Sequence, residues 1–103
     1  MPDRPTLEHT RLTSLAFDGR PIEITSAELV VTQYWRGDEA AQRDWEVVGR
    51  THDERLRDGP QVIEFEAGGR RYRGRAVVSS SVSVGSGLSI FNAVGLGDLR
   101  EET

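Results

Sequence analysis

Polar and apolar positions alternate with a period of two over much of this chain, most sharply in residues 61–83. From Tyr72 the even positions run Tyr, Gly, Ala, Val, Ser, Val, while the odd positions begin with Arg71, Arg73 and Arg75. A period of two marks a strand with one face inward. Upstream, Gly68-Gly69 supplies a two-residue turn whose residues tolerate positive φ. Such a turn predicts a hairpin with Glu66 opposite Arg71, Phe65 opposite Tyr72, Glu64 opposite Arg73 and Ile63 opposite Gly74. Acids then meet arginines on one face and the two aromatics meet on the other. A slip of one residue would destroy every match. Gly74 predicts a bend or bulge where the sheet curls.

The same reasoning places other strands. Asp18-Gly19 turns a second hairpin over residues 10–25, with Leu15 opposite Ile22, Thr13 opposite Ile24 and Phe17 on the same apolar face. Pro21 belongs at an edge or facing outward. Residues 28–35 and 45–50 are β-branched and aromatic, and read as a third and a fourth strand. Direct pairing between them would set Trp35 against Trp45. The polar stretch 36–44 between them reads as a loop in which Asp38 caps a helical turn reaching Gln42. Residues 51–60 read as a charged connector with room for another such turn. Gly85-Ser86-Gly87 turns the long strand into a last one over 88–95. About seven short strands with frequent turns predict an all-β fold: one small antiparallel β-barrel or sandwich, with one or two short helical turns. The domain is expected over 10–97, after a flexible N-terminal leader at 1–9 and before a charged tail at 98–103.

Composition narrows the picture. At 103 residues the chain makes one domain with a modest core. A net charge of −4 disfavours sequence-independent binding of nucleic acid. No run reaches the ~20 apolar residues of a membrane-spanning helix. There is no cysteine, so disulfides and thiolate metal sites are excluded. Residues 1–9 mix acids, bases and two prolines rather than forming a signal peptide, and a cytoplasmic protein is expected. The acid excess lies within residues 1–60, whereas 68–97 hold four arginines and no acid. That unevenness allows copies to pair head to tail.

No residue set declares a catalytic chemistry. His9 and His52 lie far apart, and Thr51-His52-Asp53-Glu54 fits a hydrogen-bonded loop better than a metal site. Ser79, Ser80, Ser81 and Ser83 fit a solvent-facing row on a strand, with no nucleophile elbow nearby. The glycine pairs at 85–87 and 95–97 precede no helix, so they read as turn or bulge glycines rather than phosphate cradles. Neither a cofactor nor a metal is expected. Arg71 and Arg73 are assigned to cross-strand pairs. Arg75, opposite Val62, is left free for an external carboxylate. Tyr34, Trp35, Trp45, Arg71, Arg73 and Arg75 are the candidate interface residues. A small ligand or peptide held near Tyr34, Trp35 and Trp45 is the alternative use of this region.

Residues 69–80 (Gly-Arg-Arg-Tyr-Arg-Gly-Arg-Ala-Val-Val-Ser-Ser), then Ser83 and 91–99 (Phe-Asn-Ala-Val-Gly-Leu-Gly-Asp-Leu), resemble the C-terminal part of phage tail tube proteins and related β-barrel tail components. The shared pattern is a strand with glycine, aromatic, glycine and small apolar residues, a turn, and a strand ending in glycine-x-glycine-x-leucine. It covers roughly the last third of the chain. The resemblance implies a non-enzymatic subunit, placed in a virion or tail assembly rather than free in the cytoplasm, that self-associates, or joins another assembly protein, through sheet edges and loops. It implies no catalytic residue.

Overall fold

A computed structural model describes residues 4–102. The chain forms β1 (Thr6–Phe17), β2 (Arg20–Pro21), β3 (Ser26–Arg36), β4 (Glu39–Thr51), β5 (Gly59–Ala67), β6 (Arg70–Val82) and β7 (Ser89–Glu102). They make one antiparallel sheet of order β2-β1-β3-β4-β7-β6-β5, and further pairing of β1 with β5 closes it into a ring. The all-β expectation holds. The expected helical turns do not form, and no helix is present among the described residues.

The β5–β6 hairpin has the predicted register: Glu66 faces Arg71, Phe65 faces Tyr72, Glu64 faces Arg73 and Ile63 faces Gly74. Gly68 and Gly69 carry φ of 60° and 76°. Phe65 and Tyr72 stack with ring centroids 5.4 Å apart. Arg71 Nε lies 3.6 Å from Glu66 Oε1. The core fills the ring with Leu12, Leu15, Phe17, Leu29, Trp45, Val47, Ile63, Phe65, Ala76, Val78, Phe91 and Ala93. Phe17 and Phe91 meet edge to face at 6.0 Å, a favoured aromatic geometry.

The Asp18-Gly19 hairpin starts in the predicted register, with Phe17 facing Arg20 and Ile22 N donating to Leu15 O at 2.9 Å. Pro21 sits on the edge strand, as expected. The ladder then stops short of Thr13 and Ile24, because residues 23–25 are claimed by another segment. Thr25 N donates to Arg50 O, Glu23 N donates to Asp53 Oδ2, and Thr51 Oγ donates to Glu23 O. Asp53 anchors this junction. Its carboxylate, 8% exposed, also accepts bonds from Arg55 Nε at 3.0 Å and Arg55 NH2 at 2.7 Å. These bonds from Arg55 hold the carboxyl well below the usual carboxylate range, since each favours the charged form.

Three expectations need correction at one end of the molecule. Residues 6–9 are strand, with Thr6 facing Gln33 and His9 facing Val30, so the leader is largely structured; residues 1–3 lie outside the described residues. Residues 98–102 are strand as well, with Arg71 facing Glu102; Thr103 lies outside the described residues. The presumed loop 36–44 is a continuous hairpin with a two-residue turn at Gly37-Asp38, between Arg36 and Glu39. These pieces share a location beyond the core. Together they stretch the molecule to 47 Å, close to a 14-residue strand at about 3.3 Å per residue.

Candidate binding notch

Trp45 organises this projecting end. It is 6% exposed and belongs to the core, contrary to its expected place at a loop mouth. It faces Val31, while Trp35 faces Ala40, so the two tryptophans are not partners. A register shift between Tyr34 and Trp35 contributes to the offset. Trp35 and Tyr34 stay on the projecting hairpin, and Trp35 Nε1 donates to Thr6 Oγ at 3.2 Å.

The Trp45 indole lies across bare backbone. A Cβ added to Gly74 would come within 2.7 Å of its Cζ2, and one added to Gly95 would collide with Cε2 and Nε1. A side chain at either position would force the ring or the backbone beneath it to shift. Trp45 Nε1 donates to Gly97 O at 2.9 Å. Gly74 and Gly97, read as bulge glycines, lie where the β6–β7 register shifts between Arg73 and Arg75, whereas Gly95 faces Ala76 in regular register. What the linear sequence does not reveal is that Gly74 and Gly95 are empty to admit a ring from a strand some 30 to 50 residues earlier.

The same arrangement splits the sheet. β4 pairs with β7 only between Glu46–Thr51 and Ser89–Val94. Above that, residues 39–45 of β4 and 95–102 of β7 separate, each leaving one backbone edge without a partner among the described residues. The gap is a notch of about 500 Å³ with Leu29, Val31, Trp45, Tyr72 and Leu99 among its lining. Arg43 lies on the β4 side and Asp98 on the β7 side. Arg70 and Glu101, at 3.1 Å, form an ion pair also lining it.

Comparison of the chain with family models, curated proteins and solved structures gives no match.

The remaining candidate residues fall elsewhere. Arg71, Arg73 and Arg75 are exposed on the outer face of β6. Arg73 forms no ion pair with Glu64 among the described residues and faces Arg100 on its other side. His9 Nδ1 lies 3.0 Å from Glu28 Oε2 at an exposed position. The His52 loop is hydrogen-bonded through Asp53, as read from the sequence. Ser79, Ser81 and Ser83 face solvent as expected, whereas Ser80 is half-buried and donates to Asp58 Oδ1 at 2.6 Å. A wider depression of about 690 Å³ is lined by Arg11, Glu28, Arg50 and Ser79 through Ser81. Among the described residues, no group of three histidine, aspartate or glutamate side chains is placed to hold a metal ion. Among the described residues, no helix is long and apolar enough to cross a membrane.

Proposed function

We propose that this chain is a non-enzymatic structural or assembly subunit that works by self-association. The observation that carries this reading is the split sheet. Residues 39–45 and 95–102 present two long backbone edges, and unpaired edges must be covered, charged or paired with another chain. Here they are charged, with Glu39, Arg43 and Asp44 on one and Asp98, Arg100, Glu101 and Glu102 on the other. Charge on an edge suppresses indiscriminate pairing and favours a matched partner. Assembly into rings or tubes is the form suggested by the resemblance of the last third of the chain to phage tail components. Sedimentation velocity over a wide concentration range tests the reading. The expected result is a mass rising above that of one chain, and a monomer at every concentration overturns it.

The notch supports a second reading, a binding module for a small apolar ligand or extended peptide. Its volume of about 500 Å³ falls in the range of ligand sites, and a peptide strand could add to either bare edge. In a Trp35→Phe variant all tryptophan emission comes from Trp45. A ligand in the notch must change that emission saturably, and a broad screen without response counts against this reading.

A further inference from the structure

β7 carries a sequence at odds with its surroundings. It sits between β4 and β6, and its inward residues Phe91 and Ala93 are buried. Its outward residues should then be polar, as in other antiparallel sheets with one wet face. Instead they run Ile90, Asn92, Val94 and Leu96, with the three apolar side chains 54%, 47% and 47% exposed. A strand apolar on both faces is the pattern of one covered on both sides. The neighbours extend the patch: Val77 of β6 faces Val94, and Pro60 of β5 faces Val77 on the far side.

Two charges border the patch on opposite sides. Glu46 of β4 faces Val94, and Arg75 of β6 faces Leu96. Neither makes an ion pair among the described residues. We propose that the outward face of β7 is a self-complementary interface, on which two copies pack face to face about a two-fold axis parallel to β7. Glu46 of each copy then meets Arg75 of the other. This rests on the self-association reading and adds to the bare edges a second surface, the outward face of β7, with a two-fold symmetry of its own.

The register supports the symmetry. A two-fold axis along β7 sets Val94 against Val94 and lays β4 of one copy over β6 of the other. Glu46 comes to lie above Val77, and Arg75 is two residues along the same strand, about 7 Å away. Sheets packed face to face are about 10 Å apart, so the two long side chains can meet at the rim. An apolar centre with unlike charges on opposite flanks matches itself under this rotation, and each ion pair forms twice. This complementarity selects a second copy over an unrelated protein.

Sedimentation velocity on the full chain and five variants decides the matter, with circular dichroism to confirm folding. Val94→Glu is expected to weaken dimerisation about 100-fold or more, and Arg75→Glu or Glu46→Arg about tenfold each. The double variant Glu46→Arg/Arg75→Glu is expected to return to within about threefold of the parent, because both partners reverse together. Val84→Glu, at the exposed β6–β7 turn, leaves dimerisation unchanged. Association that ignores Val94→Glu, or no recovery in the double variant, overturns this interface while leaving self-association in place. A parent chain monomeric at all concentrations overturns both.

Discussion

The β5–β6 and β3–β4 hairpins are built alike, yet only one could be read from its letters. Each has a two-residue turn, and in each the first central glycine has positive φ, 60° at Gly68 and 62° at Gly37. The β5–β6 register runs unbroken from Ala67–Arg70 to Gly59–Val78. The β3–β4 register is shifted by an irregularity between Tyr34 and Trp35, and its outer half looks like a loop. Burial accounts for the difference. Ile63, Phe65 and Ala67 reach the core, so inside and outside alternate in the sequence. Residues 34–44 are all exposed, and a strand wet on both faces has no reason to alternate. Hydrophobic patterning detects buried faces, not strands.

This contrast can be broken or sharpened by substitution. The largest effect is expected for the two tryptophans, which the sequence treats alike. Trp45→Ala should cost about 3–5 kcal/mol as a buried aromatic, and Trp35→Ala, 36% exposed, well under that, about 1 kcal/mol. Equal losses in denaturant unfolding would place both rings in comparable surroundings and undo the contrast. Next comes Gly95→Ala, whose methyl collides with the Trp45 ring; overpacking of this kind costs about 1–3 kcal/mol. In a Trp45→Ala background the same change should be nearly neutral, and a cost that persists would mean the backbone, not the ring, requires glycine.

Asp53→Asn should cost about 1–2 kcal/mol at neutral pH by weakening bonds to a charged group. The pH dependence has a definite sign. A carboxyl held low in the folded state contributes stability that is fully present above its unfolded pKa and lost as pH falls. The parent should therefore lose this margin below about pH 4, and the asparagine variant should show a shallower acid transition. Parallel acid titrations of the two would contradict the role assigned to Asp53. Smallest is the cross-strand pair: Glu66→Gln should cost about 0.2–1 kcal/mol, and the difference should shrink in salt because the pair is exposed.

Legibility follows the same boundary across the rest of the molecule. The fold class, the Asp18-Gly19 turn, the edge position of Pro21 and the bulge at Gly74 are legible because turn chemistry and buried alternation are local signals. The strand character of 6–9, 39–44 and 98–102 is hidden, since these segments carry few buried side chains; they pair with 30–33, 32–36 and 71–73 respectively. Asp38 reads as a helix cap in the sequence but sits in a two-residue turn, because aspartate serves turns and caps equally well. The notch was invisible for a different reason: Trp45, Gly74 and Gly95 are distant in sequence, and a glycine's empty side conveys nothing about what fills it. Register alone leaves Arg75 without a partner, and it makes no ion pair among the described residues.

The strand order carries a consequence for how the chain is made. β7 is synthesised after the other six strands, yet it occupies a central place between β4 and β6. As the nascent chain leaves the ribosome, β4, β3, β1, β5 and β6 can assemble only an open sheet. Val47 and Val78 then sit uncovered along its two margins until β7 arrives as the keystone. Folding to the closed form is therefore obliged to wait for this final strand, and the interval before its arrival is when a chaperone would find most to hold.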